Sequence, residues 1–336
     1  MKKVSIKQWK KLYDLAFQIY DLAPWDKYWD ADLFAIQLNK DAEEKFVSIM
    51  GKDDGIRGIA IYTGMSGYSD FCQICNENIH LSEEFLISDQ DCIMTYWLPY
   101  EELDEQSRSL IKEFNLDASQ EKNCLCFRSF EKRSFPISLN SQEVDELIQI
   151  LEGLLATLLA IEKEKMEWEE DEMVYAIKDE EDWVNFTMPY PMEPIRYPIL
   201  SFNDSLIQEL KKLSKNDVEL AIDLHYLLVS VSDDNYERPI NPYAFIFYDL
   251  SNDQILAFDL FDPEEDEADG VMDTFIAFIK DQGCPKHIYA KNPYVLNWFY
   301  ELCERLEIDL IEDELEELDE VYEGLRQMGQ NQEFNM

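Results

Sequence analysis

Apolar positions recur along this chain with two periods, and the switches between them mark out the elements. Trp9, Leu12, Tyr13, Ala16, Ile19 and Tyr20 keep i, i+3, i+4, i+7 spacing behind Ser5 and Gln8, a pair at capping-box distance. Together they predict a helix that Pro24 ends. Short strands are expected at 32–38 and 46–50. A turn at Asp53-Asp54-Gly55 then leads into a strand at 58–63, so residues 47–71 read as a β-hairpin that turns into a helix carrying Tyr68, Phe71, Cys72 and Cys75. Gly51, Gly55, Gly58, Gly64 and Gly67 all fall in this stretch, where turns and close packing need them. Strands at 92–98 and 124–130 flank a polar helix at 104–114. Asn140 and Glu143 form a second capping pair before the longest helix. Its Val144, Leu147, Ile148, Leu151, Leu154, Leu155, Leu158 and Leu159 make it apolar on nearly every side, which predicts burial at the centre of the first domain.

After residue 168 the pattern changes. Between 161 and 185 eleven acidic residues stand against three lysines, and Pro189, Pro191, Pro194 and Pro198 follow. The expected organisation is a first module at 1–168, an acidic, proline-rich connector at 169–200 and a second module at 201–336. A hairpin at 173–186 falls within the connector and is assigned to neither module. The second module opens with a helix at 203–213, followed by strand-like runs at 218–231, 243–250 and 254–261. A helix at 272–281, a strand at 287–290, a helix opened by Asn292-Pro293, a strand at 308–311 and an acidic helix at 314–325 complete it. The order βββαβαβα predicts three antiparallel strands followed by crossover units. The fold class is therefore α+β in two domains, an N-terminal antiparallel sheet with helices and a C-terminal mixed sheet.

Charge narrows the function. With 72 Asp and Glu against 29 Lys and Arg the formal net charge is −43, which repels nucleic-acid phosphates and anionic membranes and favours a basic partner. The seven scattered cysteines make no disulfide framework and point to a reducing compartment. The N-terminal lysines alternate with Ile6, Trp9 and Leu12, unlike a secretory signal, and no apolar run is long enough to span a membrane. A cytoplasmic protein is expected.

Few residues group into catalytic motifs. Cys72 and Cys75, with His80 and Cys92 beyond, lack the second ligand pair of a zinc site, so neither metal nor cofactor is expected. His80, His225 and His287 stand in no motif, and His225 lies inside an apolar strand as a structural histidine would. Gly64-Met-Ser-Gly67 lacks the Lys-Ser/Thr of a phosphate loop. The acidic runs remain. Asp262, Glu264, Glu265, Asp266, Glu267 and Asp269, and then Asp313, Glu316, Glu317 and Glu320 on the outer side of the last helix, are the candidate contacts for a basic partner. Nothing in the sequence indicates the oligomeric state.

Pro24-Trp25, Val47-Ser-Ile-Met-Gly51 and Gly58-Ile-Ala-Ile-Tyr-Thr-Gly64 resemble the N-terminal module of a bacterial two-module family of domains of unknown function. The resemblance continues through Glu102-Leu103, Leu110-Ile-Lys112 and Phe127-Arg-Ser129. Residues 241–325 resemble the second, uncharacterised module of that family. The segment Lys132-Arg-Ser-Phe-Pro136 departs from its glycine and proline-aromatic pattern. The resemblance implies two modules and no activity.

The βββαβαβα order is also similar to a degenerate ribonuclease H-like fold. Enzymes of that fold hold two divalent ions on carboxylates of the first strand, the first helix and the end of the fourth strand. On this chain those would be Asp223, or Asp249 in another register, with Asp273 or Asp269 on the helix. The fourth strand ends at the neutral helix cap Asn292. The expected function is thus a non-catalytic binding or regulatory protein for a basic partner, a nucleic-acid mimic being one form. The alternative is a divalent-metal-dependent nuclease or phosphodiesterase in the second module.

Overall fold

The computed structural model describes residues 3–52, 55–76, 78–79, 81–180, 182–194, 196–232 and 235–333, with side chains through Met328. The expected turn residues Asp53 and Asp54, and His80, lie outside the described residues. The chain divides into two compact units. One comprises Met1–Cys75, Gln90–Glu131 and Pro136–Pro194, the other Asn76–Asp89, Lys132–Phe135 and Ile195–Met336.

In the first unit, helix α1 (Ile6–Leu22) starts at Ser5, whose side chain accepts from the Gln8 N–H while the Gln8 side chain accepts from the Ser5 N–H. Strands β1 (Phe34–Gln37), β2 (Lys45–Met50) and β3 (Gly58–Thr63) lead into α2 (Gly64–Cys75). Helix α3 (Glu83–Ser88) belongs to the second unit. Strand β4 (Cys92–Trp97), helix α4 (Glu105–Glu113), strand β5 (Leu125–Phe130), helix α5 (Ser141–Glu164) and strands β6 (Glu172–Asp179) and β7 (Asp182–Pro189) complete the first unit. The sheet order is β5-β4-β3-β2-β1-β6-β7.

Two expectations are corrected here. The sheet is mixed, not antiparallel: α5 carries the chain back from β5, at one edge, to the far side of β1, and β6 then runs parallel to β1 with Val174 beside Phe34. Residues 169–200 are not a connector throughout, because β6 and β7 form a full antiparallel pair in this sheet. Alternating Met173, Val174, Tyr175 and Ala176 are all buried, and this overrides the acidic composition around them. Phe34, Ile36, Val47, Ile49, Ile59 and Ile61 face α1 and α5, while Ala35, Phe46, Ala60 and Tyr62 meet Tyr68 and Phe71 of α2 on the other side.

In the second unit α6 (Asp204–Leu210) precedes β8 (Glu219–Tyr226), β9 (Tyr243–Asp249) and β10 (Gln254–Phe261). Then come α7 (Glu267–Gln282), β11 (His287–Ala290), α8 (Pro293–Leu306), β12 (Asp309–Glu312) and α9 (Glu317–Glu333). The sheet order is β10-β9-β8-β11-β12. β9 is antiparallel to both its neighbours, whereas β8, β11 and β12 run parallel. Leu220, Ile222, Leu224 and Tyr226 of the central strand pack with Val271, Phe275, Val295 and Phe299 of α7 and α8. Ala221 lies on the other face with Leu315, Leu318 and Tyr322. Phe85 of α3 is buried in the α7–α8 cluster, and Asp89 accepts from the Tyr226 hydroxyl at 3.1 Å and pairs with Arg196 at 2.8 Å. Among the described residues no helix is long and apolar enough to cross a membrane.

Candidate functional site

Side chains alternate along β8, so Asp223 and His225 follow Ala221 onto the face that α9 covers. Tyr322 supplies the first contact, its hydroxyl donating to Asp223 Oδ2 at 3.0 Å. Its ring stacks on His225 with centroids 4.0 Å apart. Arg326, one helical turn further on, lies on the same side of α9, and its Nη2 is 2.9 Å from His225 Nε2. β11 runs parallel to β8 with Tyr289 beside Ala221. Lys291, the first residue past β11, therefore draws level with Asp223, and its Nζ stands 3.9 Å from Asp223 Oδ2. These groups line a cavity of about 560 Å³ at the carboxyl ends of β8 and β11, closed on another side by Leu81, Ser82 and Phe85 and rimmed by Glu84, Glu314 and Asp319. Crevices beyond the carboxyl ends of parallel strands are where open sheets bind ligands, and the volume suits a small molecule.

Electrostatics distinguish the inner groups. Burial raises the Asp223 carboxyl from 3.8 to about 6, with a smaller push from Asp319. Lys291, the Tyr322 hydroxyl and the Leu224 N–H pull the other way. Burial, Arg326 and Lys291 press His225 from 6.5 down to about 3. The imidazole is therefore neutral at pH 7, and Nε2 accepts from the guanidinium while Nδ1 carries the proton. Burial and Asp223 raise the Tyr322 phenol well above its ordinary value, so it remains a donor. Among the described residues, two buried polar atoms of the cavity wall have no hydrogen-bond partner: Asp223 Oδ1, an acceptor, and Arg326 Nε, a donor.

A family model described as a domain of unknown function, DUF7309, matches residues 9–178. The chain belongs to the DUF7309 family. A second model of unknown function, DUF6930, matches residues 206–326, which makes this a two-module arrangement. The DUF6930 match holds Asp223, His225, Lys291, Tyr322 and Arg326, whereas Leu81 and Phe85 of the cavity wall come from within the DUF7309 match. No curated protein and no solved structure matches the chain.

The other candidates of this DUF7309 chain lie elsewhere. Asp249 pairs with Leu220 across β8 and β9, which puts it on the opposite face of the sheet from Asp223. There it accepts from the N–H groups of Ser251 and Asn252 and closes the β9–β10 turn. Asp269 and Asp273 are exposed on α7. Among the described residues no group of three or more His, Cys, Asp or Glu is placed to hold a metal ion. His287 sits 3.3 Å from Asp309, between β11 and β12. Cys72 is half-buried and Cys75 exposed on α2, and all seven cysteines are free thiols.

Of the acidic runs, the one before α7 is partly structural. Arg133 donates to the carbonyls of Asp262 at 3.1 Å and Glu265 at 2.8 Å and pairs with Glu267, while the Asp266 side chain caps α7. Glu264 is exposed. Asp313, Glu316, Glu317 and Glu320 are exposed around the start of α9.

Sequence reasoning did not single out Lys291, Arg326, Leu81 or Phe85. The extension of the Leu315, Leu318 and Tyr322 stripe by one turn to Arg326 was the available signal.

Proposed function

We propose that the chain is a non-catalytic binding protein whose acidic surface receives a basic protein partner. The observation that carries this reading is the run ahead of and into α9. Glu312, Asp313, Glu314, Glu316, Glu317, Asp319 and Glu320 are exposed while Leu315 and Leu318 are buried, and no lysine or arginine stands between Arg305 and Arg326. One or two acids satisfy a helix N-terminus; the remainder form a concentrated negative ridge with no internal counter-charge of its own. A nucleic-acid mimic, which requires carboxylates in rows, is one form of this reading. The free cysteines support a reducing, cytoplasmic setting.

A defined peptide rich in Lys and Arg tests it by fluorescence anisotropy. Glu316→Gln, Glu317→Gln and Glu320→Gln combined should weaken binding about tenfold and flatten its salt dependence, at roughly 0.5 kcal/mol per exposed charge. The same number of changes at the exposed Glu167, Glu169 and Glu170 serves as control. Binding indifferent to salt, or weakened equally by both sets, would refute the ridge as the binding surface.

A second reading has one observation in its favour. The order β10-β9-β8-β11-β12 with β9 antiparallel to its neighbours is similar to that of ribonuclease H-like folds, and Asp223 lies on the first strand of that order. This supports a divalent-metal-dependent nuclease or phosphodiesterase. Lys291 favours binding over that chemistry, because it places an ammonium 3.9 Å from Asp223 at the end of the fourth strand, where two-metal catalysis needs another carboxylate. Mg²⁺- or Mn²⁺-dependent cleavage of DNA or RNA that Asp223→Asn abolishes would reverse the preference.

A further inference from the structure

We propose that the cavity of the second unit binds a small zwitterion of the amino-acid class, its carboxylate held by Arg326 and Lys291 and its ammonium by Asp223 and the rim acid Asp319. The inference goes beyond the basic-partner reading: it shares Asp319 with the acidic ridge, but Glu316, Glu317 and Glu320, on which the test of that reading rests, take no part in it.

The first ground is the company that Arg326 keeps. In a chain with this excess of carboxylates, Arg57, Arg128, Arg196 and Arg305 each hold one within 2.9 Å. Arg326 has no carboxylate partner among the described residues. It donates to a neutral imidazole, and its Nε is buried and unpaired. A guanidinium is a planar fork suited to a carboxylate, and the one in this wall is left free to take it from a ligand. Lys291 adds a second positive charge to the same wall, with a carboxylate no closer than 3.9 Å.

The second ground is Asp223, whose side chain is 1% exposed and whose Oδ1 has no partner. An unpaired buried acceptor costs roughly 1–3 kcal/mol, and a donor from a ligand relieves it. The two unpaired atoms are of opposite kinds and belong to residues that line one cavity. A ligand with only a carboxylate leaves Asp223 unsatisfied and meets the rim acids; one with only an ammonium leaves Arg326 Nε unsatisfied. A zwitterion answers both. The apolar side chains of Leu81 and Phe85 give the same cavity a surface for the ligand's side chain, and about 560 Å³ accommodates a large one.

Titration calorimetry on the full chain tests the proposal with L-leucine and L-phenylalanine as probes, and with 3-phenylpropionate and 2-phenylethylamine as the single-charge halves of phenylalanine. Saturable binding of at least one amino acid is expected, with phenylalanine at least about tenfold tighter than either half. Arg326→Gln should erase its advantage over the amine, and Asp223→Asn its advantage over the carboxylate. Equal binding of 3-phenylpropionate would mean an anion site only, and equal binding of 2-phenylethylamine a cation site only; either overturns the proposal. Absence of binding by both amino acids overturns it as well and leaves water as the partner of the two buried atoms. Should either variant lose its circular-dichroism signature, the four probes on the unaltered chain still decide.

Discussion

Asp223 and His225, two positions apart on β8, couple stability to pH in opposite senses. The folded-state value of Asp223, about 6 against an ordinary 3.8, favours the protonated acid. Its contribution is complete below about pH 4 and is lost as the pH rises through 6, a change of about 3 kcal/mol. His225, lowered from 6.5 to about 3, contributes fully above pH 6.5 and loses that contribution as the pH falls toward 3. Urea titrations across this range should therefore show Asp223→Asn gaining on the parent as the pH rises from about 4 to 6, and His225→Gln gaining as it falls below 6.5. A pH-independent difference for either variant would contradict the burial that shifts it. Glycine is the other residue whose role is positional. A Cβ on Gly67 would stand 2.9 Å from the backbone carbonyl carbon of Tyr62, whereas at Gly55 the nearest atom is 3.6 Å away. Gly67→Ala should cost about 1–3 kcal/mol despite alanine's better helix propensity, and Gly55→Ala should stay within about 0.5 kcal/mol in the same thermal melt.

At the scale of elements, local chemistry made the helices readable. Asn140 accepts from the N–H groups of Gln142 and Glu143, and Glu143 accepts from the Asn140 N–H at 2.7 Å and from the Ser129 hydroxyl at 2.6 Å. Asn140→Ala should lower stability by about 1 kcal/mol, and Glu143→Ala by more because it also removes the hydrogen bond from the Ser129 hydroxyl; chemical denaturation compares the two. The hairpin of β2 and β3 was equally legible, since alternation and glycine placement are local signals and Met50 pairs with Gly58 as they require. β6 was not, because its parallel seat beside β1 depends on a crossover by a helix of 24 residues, which composition cannot express. The cavity was the least legible part. Asp223 could be named from its strand, but Tyr322 lies 99 positions away and Arg326 lies 101 from His225. Only the register of β8 with β11 and the rotation of α9 bring these charges together.

At the scale of the whole molecule, the second unit is discontinuous in sequence. Residues 76–89 and 132–135 belong to it although the rest begins at 195. A fragment of 195–336 therefore lacks Phe85, which is 2% exposed in that core, and loses Arg133 from the loop before α7. Removing a buried phenylalanine of this kind costs about 3–5 kcal/mol, so the fragment should melt well below the same unit in the full chain, and calorimetry of the two measures the difference. A fragment as stable as the full chain would show that residues 76–89 are incidental to the unit. The same interleaving bears on how the protein is made. Asp89 leaves the ribosome 137 residues ahead of Tyr226, and Arg133 leaves 134 ahead of Glu267. At translation speeds of about 5–20 residues per second each waits roughly 7–30 seconds for its partner. Through that interval Phe85 has no core to enter, and the nascent chain carries an apolar segment that chaperones or proteases can reach before the second sheet exists to shelter it.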